Sequence, residues 1–289
     1  MNPLVALAIH DPSIFLWLAF ALLSCIWWLL VASSRPQAVW LFCASVLVIP
    51  CFILANIVVQ TASVIRPLKI DLYVYQIDKL FGEPSFVIGR LVAHNVSLWI
   101  LLDFAYNVLP WAIIATFATY LFLRSYAESL AVLRTFLLNL VAAVPLYLLF
   151  PVCGPIFAFP HYPFQEPEHL VPRMLALTAE PNGVPSVHTS SALFILWYLW
   201  PWRLGRCIGI VFLVLTILAT LGLGEHYFFD LLCAVPYAIG VYWVARLVRM
   251  DTRDQSSVVN TVQVIVAAQE DFQGRLDSGI KSPYRQSSN

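Results

Sequence analysis

An all-α, polytopic membrane helix bundle is the architecture this sequence predicts, and three observations predict it. Hydrophobic residues make up 61% of the 289-residue chain and charged residues only 11%, with a mean hydropathy of +0.81. A soluble domain carries about 25% charged residues. The apolar residues gather into about six to seven runs, most of them near the roughly 20 residues that a helix needs to cross a bilayer. The basic residues of the short connections all fall on one side if those runs alternate across the membrane.

The runs lie at 13–33, 38–60, 98–123, 128–150, 187–202, 206–224 and 226–248. The first two form an N-terminal block, residues 1–60. The opening "MNPLVALAIHDPS" lacks the positive start of a secretory signal, and no small-residue cleavage site follows, so the first run is expected to be a retained span. Segment 61–97 reads as an amphipathic piece, "IDLYVYQIDKLF", a break at Gly82-Glu83-Pro84, and a helix leading into the span at 98. It is expected to lie at the membrane interface. Residues 98–250 form a transmembrane core interrupted by the proline-rich stretch 151–185. That length without regular periodicity, rich in proline and aromatics, predicts an ordered lid over one membrane face. The polar tail, 251–289, has one apolar patch, "VVNTVQVIVAAQ", and predicts a surface helix or disorder.

Arg35, Arg124, Arg134, Arg203, Arg206, Arg246, Arg249 and Arg253 share one side, which is then cytoplasmic. The N-terminus is outside and the tail inside. The contrary cations Arg66, Lys69, Lys79 and Arg90 all sit in the longer outer segment. A net charge of zero leaves no electrostatic footprint for nucleic acid. The six cysteines form no C-x-x-C pair and read as small buried hydrophobes, not as a disulfide framework or zinc site. The tryptophans read mostly as interface anchors.

Ionisable groups at membrane depth are costly and mark function. Two stretches carry them: "PNGVPSVHTSS", Pro181 to Ser191, and "GLGEHYFFDLL", Gly222 to Leu232. His226 and Asp230 are one helical turn apart on one face, so Asp230 can accept from one ring nitrogen and raise the basicity of the other. The spans at 187–202 and 206–224 make a hairpin, which returns His226 to the face of His188, 38 residues earlier. Two histidines, a carboxylate and the Ser186 hydroxyl thus converge. Such a set suits in-line phosphoryl transfer, in which one imidazole attacks phosphorus and the other serves as acid and base. Asn182-Gly183-Val184-Pro185-Ser186, opening a helix, offers a hydroxyl, backbone N–H groups such as that of Gly183, and the positive helix end to a phosphate.

Pro185-Ser186-Val187-His188 resembles the P-S-x-H motif of the type 2 phosphatidic acid phosphatase superfamily, and His226-Tyr227-Phe228-Phe229-Asp230 resembles its H-x-x-x-D motif. The H-Y-x-x-D-L form and "LLFPVCGP" are most similar to the branch of inositol phosphorylceramide synthase-like and sphingomyelin synthase-like transferases. The resemblance covers roughly residues 95–248. It implies a phosphatase-type core of about six helices. His226 would be the nucleophile, Asp230 its orienting partner, His188 the acid/base and Ser186 a phosphate contact. It also implies a phospholipid or sphingolipid-type substrate and no metal or cofactor.

The sequence departs from the phosphatase pattern at two places. Ala219 and Thr220 stand where that pattern has S-R, and Val59 stands where K-x6-R-P would have its lysine before Arg66-Pro67. The usual cationic clamp is missing from its usual place, and Arg173 and Arg90 become the candidates to face phosphate. Glu225 reads as a solvated helix end, Asp103 as a structural hydrogen bond between helices, and His161 and His169 as loop or headgroup contacts. The competing reading is a secondary transporter that uses His and Asp as a proton relay. Against it stand the clustering of ionisable groups at one face and the lack of an internal repeat. Asn95-Val96-Ser97 matches a glycosylation triplet, but no retention signal accompanies it, and a bacterial inner membrane with a periplasmic site is expected.

Overall fold

A computed structural model describes residues 53–165 and 171–247. The first predicted span, most of the second, His169 and the tail lie outside the described residues. The chain divides into two compact units, Met1–Ala245 and Arg246–Asn289, and the first holds the helical bundle.

The chain enters through α1 (Ile53–Ile65). It then runs through β1 (Leu68–Lys69), α2 (Asp71–Lys79), α3 (Pro84–Ala93), α4 (Val96–Asn107), α5 (Leu109–Leu123) and α6 (Tyr126–Leu149). The lid segment contains the short α7 (Pro155–Ala158) and β2 (Leu175–Ala176), which pairs antiparallel with β1. Then come α8 (Val187–Leu199), α9 (Arg203–Gly222) and α10 (Phe228–Leu247).

Ala127–Leu149, Arg203–Gly222 and Phe228–Leu247 are long and apolar enough to cross a membrane. The outward stripes Leu204, Ile208, Val211 on α9 and Val235, Ile239, Trp243 on α10 are apolar and exposed at helical spacing, as lipid-facing surface requires. The protein is a helical membrane protein. The span expected at 98–123 is divided between α4 and α5, which meet at Val108. Pro110 accounts for the break, because it lacks the N–H that would bond the Tyr106 carbonyl. The helix at 84–93 does not lead straight into a span either. It turns by 120° into α4, whose first turn is capped by Asn95 accepting from Leu98 N–H at 3.0 Å.

Helix α8 lies at the centre of the bundle, against α5, α6 and α9. Its polar residues are satisfied by neighbouring helices, as membrane interiors demand. Asn139 of α6 donates to Ser191 Oγ (2.9 Å) and accepts from Ser190 Oγ (2.8 Å). Thr135 and Tyr198 share a 2.6 Å hydroxyl contact. Phe117, Phe136, Phe194 and Val241 fill the space between these helices.

Segment 61–97 is more deeply engaged than an interfacial amphipath. Asp71, Tyr75 and Asp78 lie on one face of α2, and all three are fully buried. Asp71 Oδ1 accepts from the N–H groups of Cys153 (3.1 Å) and Gly154 (3.0 Å) and from the Tyr227 hydroxyl (3.2 Å). Asp78 Oδ1 accepts from Phe229 N–H at 3.1 Å, and its Oδ2 from the Ser85 hydroxyl at 3.3 Å. Gly154 fits here because its φ of +114° disfavours any side chain and a Cβ would stand 2.3 Å from the Glu225 carbonyl oxygen. The lid base and the turn into α10 are thus pressed together by α2.

Burial pushes the Asp71 and Asp78 carboxyls up to about 6 from an ordinary value of 3.8. The folded state therefore holds their protons more tightly than the unfolded chain does. Their contribution to stability is complete below the unfolded value and is lost as pH rises through about 6. The thermal midpoint in detergent should fall between about pH 4 and about pH 7, and Asp78→Asn should flatten that slope. A wild-type slope that the substitution leaves untouched would contradict this.

Candidate active site

The dyad forms where α9 ends. Gly222 closes the helix and Gly224, at φ +78°, reverses the chain. The N–H groups of Glu225 and His226 both donate to the Thr220 carbonyl, each at 3.1 Å. His226 therefore leaves a tight turn with its backbone fixed. Helix α10 starts two residues later and places Asp230 in its first turn. Asp230 Oδ2 reaches back to accept from Tyr227 N–H (2.9 Å), the way a capping-box acid does, and also meets His226 Nδ1 at 3.3 Å. With Nδ1–H donating to the carboxylate, His226 keeps Nε2 as its free lone pair; this tautomer is assigned from the hydrogen-bond pattern. His226 is 3% exposed and Asp230 0%. Asp230 Oδ1 is buried without a hydrogen-bond partner among the described residues.

His188 opens α8 across from this turn. Its ring lies 6.2 Å from that of His226, centroid to centroid. The Tyr106 ring stacks on its other face at 4.0 Å and 16°. No described residue hydrogen-bonds the His188 nitrogens, which leaves them for a ligand. The two histidines line one cavity of about 120 Å³ together with Tyr106, Tyr147, Glu180, Asn182 and Glu225. Ala55 and Val59 of α1 and Leu140 and Val144 of α6 give it an apolar wall. Tyr106 and Glu225 also face a second cavity of about 400 Å³ that reaches Trp99, Asp103 and Asn107.

Other predicted site residues lie elsewhere. Ser186 is fully buried and caps α8, accepting from Thr189 N–H (3.3 Å) and from the Thr189 hydroxyl (3.1 Å). Its own N–H donates to the Asp230 carbonyl at 3.3 Å, which ties the two motifs together. Gly183 commits its N–H to the Val152 carbonyl at 2.7 Å, and the neighbouring Asn182 lines the cavity in its place. Arg173 is exposed, and Arg90 is half-buried on α3 near Tyr162; neither lines the dyad cavity. Asp103 bonds within its own helix, accepting from Asn107 Nδ2 at 3.2 Å. His161 stays in the lid loop, outside both cavities.

Glu225 is not a solvated end. It is half-buried and lines both cavities, because the α9–α10 turn folds inward under Gly154. Burial pushes its carboxyl up, and the neighbouring His226 draws it back down. Sequence reading also passed over Tyr106 and Glu180 at the cavity and Asp71 and Asp78 behind it. The spacing of Asp71, Tyr75 and Asp78 carried a signal for the last two, since it sets both acids on the stripe that holds a large aromatic. Among the described residues no group of three His, Cys, Asp or Glu is arranged to hold a metal ion.

A family model described as PAP2 superfamily matches residues 74–244, more than half of the chain. No curated protein and no solved structure matches. The match runs from within α2 to within α10 and takes in His188, His226 and Asp230, and the chain belongs to the PAP2 superfamily, whose members are generally phosphatases or phosphoesterases.

Proposed function

We propose that this protein is an integral-membrane phosphoryl-transfer enzyme that cleaves a lipid phosphate ester through a phosphohistidine on His226. The observation that carries the reading is two histidines at 6.2 Å on one cavity, one of them held by a buried carboxylate. His226 Nε2 attacks phosphorus, a P–N bond forms and the P–O bond to the leaving group breaks. His188 gives its proton to the departing oxygen. Water or a lipid hydroxyl then attacks phosphorus, His188 takes back a proton, and His226 is released. Asp230 fixes the His226 tautomer and stabilises the positive ring that precedes P–N cleavage. The apolar wall contributed by α1 and α6 suits the approach of a lipid from the bilayer. The arginine distribution supports a site on the outer membrane face, which in a bacterium is the periplasmic face of the inner membrane, with a cytoplasmic C-terminus.

Purified protein in mixed micelles should release phosphate or phospho-headgroup from lipid phosphoesters. His226→Ala and Asp230→Ala should lower kcat by about 10³-fold or more, within the range seen when members of catalytic triads are removed. Variants that turn over at the wild-type rate would sink the enzymatic reading.

The cavity charge bears on the substrate. Among the described lining residues the charged side chains are Glu180 and Glu225, with no lysine or arginine. A phosphomonoester brings close to two negative charges at neutral pH and a diester one. The repulsion from each further unit charge at about 6–8 Å is about 2–3 kcal/mol at an effective dielectric near 20. A phosphodiester with donor groups in its head, such as phosphatidylethanolamine, should therefore be turned over at least about tenfold faster than phosphatidic acid. Glu180→Gln should narrow that ratio. Equal rates on both lipids would contradict the diester assignment while leaving phosphoryl transfer intact.

A further inference from the structure

Helix α10 carries the orienting acid of the dyad, and its first N–H groups need acceptors. The residue in the N-cap place, Tyr227, cannot supply one, because its side chain ends in a phenol that reaches away to Asp71. Asp230 covers the Tyr227 N–H, at 2.9 Å. The next donors in the turn are met from outside. Phe229 N–H donates to Asp78 Oδ1 at 3.1 Å, and Phe228 N–H also bonds that carboxylate. A side chain 151 residues upstream thus performs the work of a local cap.

Asp71 completes the hold. It accepts the Tyr227 hydroxyl at 3.2 Å and, with the same oxygen, the N–H groups of Cys153 and Gly154. Tyr227 stands between His226 and Phe228, so it is fixed at its N–H by Asp230 and at its phenol by Asp71. Both α2 carboxylates are fully buried, and their hydrogen-bond partners are backbone N–H groups and the Tyr227 and Ser85 hydroxyls.

The tolerance is small. The His226–Asp230 contact is already 3.3 Å, and a separation near 3.6 Å is no longer a hydrogen bond. Displacing the start of α10 would lengthen this contact further and loosen the hold on the His226 ring. We infer that Asp78 and Asp71 are positioning residues of the dyad: Asp78 caps α10 from a separate element, Asp71 bolts Tyr227 to the lid base, and together they keep Asp230 within reach of His226. This rests on the phosphoryl-transfer reading above and adds that α2, outside the helical core, sets the geometry of the reaction.

The test is steady-state turnover of the full-length protein in mixed micelles with phosphatidylethanolamine, normalised to folded protein. Asp78→Ala should lower kcat by about 10- to 100-fold, the scale of a displaced catalytic group, with KM changed by less than about twofold. Asp78→Asn, which keeps an acceptor oxygen towards Phe229 N–H, should recover to within about fivefold of wild type. Tyr227→Phe removes one hydroxyl, leaves the backbone bonds in place, and should lower kcat by about three- to tenfold without moving KM. A merely structural role would leave kcat per folded molecule unchanged. Wild-type kcat in Asp78→Ala, a loss confined to KM, or equal losses in the Ala and Asn variants would each overturn the inference. Should Asp78→Ala not fold, Tyr227→Phe decides, and wild-type kcat there overturns it. Full activity in His226→Ala would instead count against phosphoryl transfer itself.

Discussion

His226 Nδ1 lies 3.3 Å from Asp230 Oδ2, near the outer limit of a hydrogen bond, with both side chains shut away from water. A buried carboxylate with a loose partner is expensive, and Asp230 carries a second oxygen with no partner at all among the described residues. The surroundings offset this by fixing everything that could relax. Thr220 holds the turn before His226, Ser186 joins α8 to α10 through the Asp230 carbonyl, and the α2 acids hold the turn after it. The pair is thus held in place from three other elements, α9, α8 and α2.

The same arrangement pins the start of the 151–185 stretch to α2. Cys153 and Gly154 donate their N–H groups to Asp71, and Gly154 packs closely against the Glu225 carbonyl. Gly183 bonds Val152, which carries the same constraint into the start of α8. Tyr106 finishes the frame by stacking on His188, so the second ring is held by a flat surface while its nitrogens stay free.

Much of this was legible in the chain. The H-x-x-x-D spacing places two side chains on one helical face by geometry alone, and a hairpin of two apolar runs must return the second motif to the level of the first. What was not legible depended on bends. Glu225 looked like a solvated end because a helix–helix junction is usually wet, yet this one folds under Gly154 and faces two cavities. Arg173 looked like a phosphate contact because the usual cationic clamp is missing from the sequence, yet it is exposed and does not line the dyad cavity. Asp71 and Asp78 lie in a stretch whose pattern reads only as an interfacial amphipath. Their long-range donors are the backbone N–H groups of Cys153, Gly154 and Phe229 and the Tyr227 hydroxyl, 82 to 156 residues away in sequence, and hydrophobic periodicity carries no information about such donors.

The account depends most directly on the covalent step at His226. Brief incubation with a lipid phosphoester labelled with ³²P, followed by alkaline quenching and peptide mapping, reads that step. The account predicts an acid-labile, alkali-stable label on the peptide containing His226, absent from His226→Ala and slower to appear in His188→Ala, where proton donation to the departing oxygen fails. A label that persists in His226→Ala, or turnover in wild type with no label on that peptide, would contradict it.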